Sequence, residues 1–300
     1  MLKIAWSPLY SHPLPEGHRF PMEKYSLLPE QLKYEGTVND SHFFEPDFLD
    51  EKWILEVHDR EYLEKLQSLS LSRKEERKTG FPLSSQLVQR EINILDGSVK
   101  ACEFALEYGI AMNIAGGTHH AYAGHGEGFC LLNDIAVSAN YLLKKRLAQR
   151  VLVVDLDVHQ GNGTALLCQQ DPNIFTFSMH GKSNYPMHKE TSDLDIALPD
   201  RTSDDFYLKE LKAALPSLMS SFDPDFIIYQ CGVDILESDK LGKLSVSLQG
   251  IRERDEFVLG SAFEKEIPVM CCMGGGYSPQ IRDIIEAHSQ VYRLAQDIFF

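Results

Sequence analysis

Five short apolar runs, each leading into Asp, His, Gly or Cys, alternate along this chain with longer stretches of helical periodicity. Parallel strands need a long return path between them, and a helix usually fills it, so this alternation predicts parallel strands joined by crossover helices. The strands are expected at 110–115, 151–156, 174–178, 226–231 and 269–273, and the helices near 84–108, 133–145, 204–221, 248–264 and 279–298. Gly109 would close the first helix by adopting a left-handed conformation. The charged stretch 70–80 reads as a solvated loop or helix end. No repeat, low-complexity segment or linker stands out. The expected fold class is therefore α/β: a single doubly wound domain over residues 1–300, with a central, mainly parallel sheet flanked by helices.

Lysine and arginine together number 29 against 44 aspartates and glutamates, a net charge of -15. Such a balance repels phosphate backbones and favours cationic partners, so no direct nucleic-acid partner is expected. The six cysteines, Cys102, Cys130, Cys168, Cys231, Cys271 and Cys272, form no C-x-x-C pair and sit mostly among apolar neighbours. They read as reduced core thiols in a cytoplasmic protein. No apolar run approaches the ~20 residues that span a bilayer, and no long apolar core follows Met1, so neither export nor a membrane partner is expected.

Ligands of an open parallel sheet collect outside the carboxyl ends of its strands, so the residues there are the ones to inspect. The strand at 151–156 runs into Asp155-Leu156-Asp157-Val158-His159-Gln160-Gly161-Asn162-Gly163, and that at 226–231 into Gly232-Val233-Asp234. Asp157 and His159 are one residue apart, which on extended backbone points both to one side. With Asp234 they make two carboxylates and one imidazole, a set that leaves coordination positions open as a catalytic metal requires. Taken alone, the same run could be a polar strand end with local hydrogen bonds. The strand at 110–115 delivers His119 and His120 after Gly116-Gly117-Thr118. Beside a metal such a pair can divide proton transfer from charge stabilisation; elsewhere it is surface decoration. After the last strand, Gly274-Gly275-Gly276 can bend Tyr277 over a reacting carbonyl, where a phenol would donate to an oxyanion. A flexible loop with a packed tyrosine is the plainer alternative, and the glycines match no phosphate-binding fingerprint.

Together with His18-Arg19-Phe20-Pro21-Met22-Glu23-Lys24-Tyr25, Val57-His58-Asp59-Arg60-Glu61-Tyr62-Leu63 and Gly128-Phe129-Cys130-Leu131-Leu132-Asn133-Asp134, these pieces stand in one order across nearly the whole chain. That ordered set resembles the histone deacetylase family, including its acetylpolyamine amidohydrolase and acetoin-utilisation relatives, and looks most like the class IV branch. The resemblance implies zinc (Zn2+), with Fe2+ as an alternative, on Asp157, His159 and Asp234. It makes His120 the general base, His119 its electrostatic or acid partner and Tyr277 the oxyanion donor. Asp155 would orient His119 and, with Asp157, His159, Ser178 and Met179, hold a structural potassium ion (K+). Gly128, Phe129, Tyr185 and Gly275 would line an acyl-lysine tunnel, and Arg19 an internal acetate cavity.

Two positions depart from class I. Asn162 stands where an aspartate would back the second histidine, a neutral group that should raise the basicity of His120 less. Pro82 stands where a loop aspartate would grip the substrate backbone. The implied activity is hydrolysis of N-acyl amides, with an acyl-lysine protein or a small acylated amine such as an acetylpolyamine as substrate. An arginase-like two-manganese site would need further carboxylates, and an inactive acyl-lysine-binding module would be expected to lack His120 or Tyr277.

Overall fold

The computed structural model describes residues 1–300. Its strands are β1 (Lys3–Ala5), β2 (Phe43–Phe44), β3 (Ile110–Asn113), β4 (Val151–Asp155), β5 (Ile174–Gly181), β6 (Leu194–Leu198), β7 (Phe226–Gln230) and β8 (Val269–Cys272). All pair in parallel in one eight-stranded sheet of order β2-β1-β3-β8-β7-β4-β5-β6. The helices are α1 (Lys24–Tyr34), α2 (Glu51–Ile54), α3 (Arg60–Gln67), α4 (Arg73–Thr79), α5 (Ser85–Tyr108), α6 (Asp134–Lys144), α7 (Asn162–Cys168), α8 (Asp204–Ser221), α9 (Leu248–Glu264) and α10 (Ile281–Phe299).

Alternate residues of the central strands enter two separate cores. In β4, Leu152 and Val154 join the larger cluster while Val151 and Val153 join the smaller; in β7, Ile227 and Tyr229 part from Phe226 and Ile228 in the same way. A strand covered on both faces carries an unbroken apolar run, which is why these strands stand out in the sequence. The three strands not anticipated, β1, β2 and β6, are short, and β6 is an edge strand with partly exposed side chains.

The stretch 70–80 is not a loop. It contains α4, opened by a capping box in which Ser72 Oγ accepts from the Glu75 amide and Glu75 accepts from the Ser72 amide, and closed by Gly80 at φ 82°. The S-x-x-E signal was present under the charge. All six cysteines are buried and unpaired, and no helix is long and apolar enough to cross a membrane.

Candidate active site

β3, β8, β7 and β4 lie side by side, so their carboxyl ends deliver the chemically unusual residues to one place. Asp157 Oδ1 lies 3.0 Å from His159 Nδ1, and Asp234 Oδ2 lies 3.1 Å from the same nitrogen. The other oxygen of each carboxylate is held by backbone: Gly275 N donates to Asp157 Oδ2 at 2.8 Å, and Val158 N to Asp234 Oδ1 at 2.9 Å. Each of the three residues offers one ligand atom, all within 4.8 Å of one another, although Asp157 Oδ1 also accepts from the His159 amide at 3.0 Å. Asp234 Oδ2 is buried and, though close to His159, makes no properly directed hydrogen bond. Burial, then the neighbouring Asp157 charge, pushes the Asp234 carboxyl up to about 7. A buried carboxylate oxygen without a donor, facing an imidazole and a second carboxylate, fits a divalent cation of the zinc or iron kind.

Buried basic groups fix the loops that carry these ligands. The guanidinium of Arg254, on α9, donates to the carbonyls of Gly232 at 2.6 Å and Cys231 at 3.2 Å. Lys24, on α1 and fully buried, donates to Gly274 O at 3.0 Å. Gly275 then passes so close that a Cβ there would sit 2.0 Å from Asp234 Oδ2 and 2.8 Å from Asp157 Oδ2.

The two histidines occupy contrasting environments. His119 Nδ1 lies 2.7 Å from Asp155 Oδ2. Burial would lower its pKa, but Asp155 and Asp157 more than offset this and hold it at about 9. Burial pushes His120 down instead, reinforced by His119 and His159. Neighbouring groups pushed apart in this way can remain one charged and one neutral at the same pH. His120 Nδ1 meets Asn162 Oδ1 at 2.6 Å, and Asn162 Nδ2 donates to Glu127 Oε1 at 2.7 Å and Tyr122 Oη at 2.9 Å. The amide is thereby oriented with its oxygen toward His120, which places the proton on Nδ1 and leaves Nε2 free to accept.

Glu127 is a functional candidate that the sequence reading missed. The Tyr185 hydroxyl donates to its Oε1 at 2.7 Å, and Lys78 Nζ pairs with its Oε2 at 2.7 Å. Despite burial, hydrogen bonds from His125, Lys78, Tyr185 and Asn162 hold its carboxyl well below the usual carboxylate range. A charged carboxylate therefore does stand behind Asn162, one residue further out.

A mouth of about 600 Å3 leads down to an inner cavity of about 40 Å3, and His120, Gly128, Phe129, His159 and Tyr277 line both. Tyr185 lines the mouth with its ring perpendicular to that of His120, centroids 5.0 Å apart, and Gly275 lines the inner cavity. Gly128 and Phe129 turn at φ 56° and 68°; a Cβ on Gly128 would lie 2.6 Å from the His120 ring. Ser178 pairs with Asp155 across β4 and β5, so it and Met179 sit beside the Asp155–His159 run. A larger groove of about 880 Å3, lined from α1 and α10, contains no such cluster of groups.

Two expectations need correction. Arg19 does not line the inner cavity: it is exposed, with its guanidinium 4.9 Å over the Phe129 ring at the mouth. The arginine of the inner cavity is Arg90, from α5, buried and paired with Glu91. Pro82 is exposed and does not line the mouth; the rim residues nearest it in the chain are Arg77 and Lys78, in the last turn of α4.

A tunnel that ends on buried acids and imidazoles at the carboxyl ends of a parallel sheet has the architecture of an enzyme active site. The chain belongs to the histone deacetylase family: the histone deacetylase domain model matches residues 18–292, which makes the protein a hydrolase of the deacetylase type. It is 42% identical over 296 residues to an uncharacterized protein of Picosynechococcus, covering 99% of both chains. Its identity to Histone deacetylase 2 of Arabidopsis thaliana is 32% over 269 residues, covering 87% of this chain and 70% of that protein. Among solved structures, a histone deacetylase homologue complexed with SAHA shares the fold, with a TM-score of 0.83 at 23% identity over 97% of this chain and 82% of the other.

Proposed function

We propose that this chain hydrolyses N-acyl amides, most plainly acyl-lysine, in a metal-dependent reaction, and that it is a class IV-like member of its family. The observation that carries the reading is the Asp157–His159–Asp234 cluster at the foot of the tunnel, with the free nitrogen of His120 beside it. A zinc or iron(II) ion held by those three residues supplies Lewis-acid polarisation of the acyl carbonyl and lowers the pKa of water.

His120 Nε2 takes a proton from the attacking water. His119, kept cationic by Asp155, stabilises the negative charge that develops, and the Tyr277 hydroxyl donates to the oxyanion. The proton on His120 Nε2 then passes to the departing amine nitrogen, so the products are a free amine and a carboxylic acid. Gly128, Phe129 and Tyr185 confine the acyl chain, and Arg90 takes the cavity role first expected of Arg19. Potassium held by Asp155, Asp157, His159, Ser178 and Met179 would stiffen the strand end that carries the ligands.

The purified protein is expected to hold about one divalent ion per chain, as a three-ligand site would. Elemental analysis of an Asp234→Ala variant should show that ion lost while the circular dichroism spectrum persists. Full metal retention in a folded variant would remove Asp234 from the ligand set.

Glu127 makes a second expectation. Glu127→Gln keeps an acceptor for Asn162 and Tyr185 but removes a negative charge behind His120, so His120 should become a weaker base with a more acidic imidazolium. The acidic limb of the kcat/KM profile should then move to lower pH. An unmoved limb would mean that this carboxylate carries no electrostatic weight at the base.

A further inference from the structure

The tunnel mouth is charged opposite to the rest of the protein. Arg19, Arg77, Lys78 and Lys243 line it and no aspartate or glutamate does, on a chain whose net charge is -15. All four are exposed and come from three separate places: the loop before α1, the end of α4 and the loop between β7 and α9.

Most of these side chains are positioned by neutral groups. Arg77 Nε donates to the Arg73 carbonyl at 3.1 Å, and Lys243 Nζ donates to Ser183 O at 2.9 Å and Ser183 Oγ at 3.1 Å. Arg19 rests on the face of Phe129. None of these contacts is a direct ion pair, although the Ser183 hydroxyl under Lys243 itself donates to Asp200. Lys78 alone meets a carboxylate, that of Glu127, which is only 7% exposed and lies beneath the rim. Three cations without a direct ion pair around one opening raise the positive potential where the amine side of a substrate must rest while its acyl group is in the tunnel.

We propose that the preferred substrate is an acyl-lysine set in an acidic peptide segment, its aspartate or glutamate side chains meeting Arg19, Arg77 and Lys243. This rests on reading the tunnel as an acyl-amide hydrolase site, and it narrows that reading. An acylated polyamine would bring ammonium groups to the same rim and be repelled, although the net charge of the whole chain would attract it.

The test compares acetyl-lysine peptides flanked by Glu, by Gln or by Lys, together with N-acetylspermidine, on the zinc-loaded protein and on an Arg77→Ser/Lys243→Ser double variant. At low salt the Glu peptide should exceed the Gln peptide in kcat/KM by about tenfold, chiefly through KM, and the ratio should shrink as salt screens the rim. In the double variant that ratio should fall toward one. Equal rates on the Glu and Gln peptides, or a preference for the Lys peptide or acetylspermidine, would overturn the proposal. Anisotropy of the same labelled peptides reads the rim without turnover. If none is cleaved yet the Glu peptide binds tightest and loses that advantage in the double variant, the hydrolase reading fails and the rim assignment stands. Tighter binding of a labelled single-stranded oligonucleotide than of the Glu peptide would overturn the assignment to peptides.

Discussion

Tyr277→Phe is expected to lower kcat by on the order of 10² to 10³, the usual loss when one oxyanion donor is removed. The tyrosine follows Gly276 after β8 and lines both the mouth and the inner cavity, at the level of His120 and His159. Its ring is held without help from the hydroxyl: Phe20 and Phe129 pack against it with centroids 6.0 Å away in each case, and its amide donates to Asp239 Oδ2 at 2.6 Å. Removing the hydroxyl should therefore leave the ring in place and the metal bound. KM should change far less than kcat, because the donor acts on charge that develops only in the transition state. A tyrosine that merely packs in a glycine-rich loop would tolerate the change. Single-turnover kinetics separates the two cases, and a chemical step slowed less than about fivefold would remove Tyr277 from the mechanism.

Gly275→Ala should be at least as damaging through a different cause. The added methyl would fall 2.0 Å from Asp234 Oδ2 and 2.8 Å from Asp157 Oδ2, so two ligand carboxylates or the loop itself must move. Neither has room, since Gly274 is pinned by Lys24 and the Gly275 amide is spent on Asp157. A displacement of about 1 Å at a reacting centre costs on the order of 10² in rate, and loss of the ion costs the remainder. The variant should fold, bind metal poorly and be nearly inactive. Wild-type metal content together with wild-type activity would show that the close approach is unimportant.

Much of the ligand-bearing region was legible in the sequence, for a physical reason. β3, β4, β7 and β8 are buried on both faces, so they read as unbroken apolar runs, and the polar residues ending them stand out as groups that apolar packing does not require. Asp157, His159 and Asp234 could be grouped because β4 and β7 are neighbours whose ends lead into the loops that carry them, although 157–159 forms a bend and not the extended backbone expected. β1, β2 and β6 escaped because two to five residues at or near a sheet edge carry little pattern. Charge concealed the capped helix α4.

Relations that exist only in three dimensions could not be read. Glu127 gains its meaning from Asn162, Tyr185 and Lys78, none of them near it in sequence. Arg19 is displaced from the expected cavity because it stacks outward on Phe129, while Arg90, to which no role had been given, is carried inward by α5. A net charge summed over the chain likewise hid a basic rim that occupies only one opening.

The measurement closest to the central claim is zinc titration of metal-stripped protein with release of acetate from an acetyl-lysine peptide as the readout. Activity should be absent in the stripped protein and should rise with added zinc to a plateau near one equivalent per chain, with Asp234→Ala failing to respond. Full activity without metal, or no acetate at any zinc concentration from folded protein, would contradict the account.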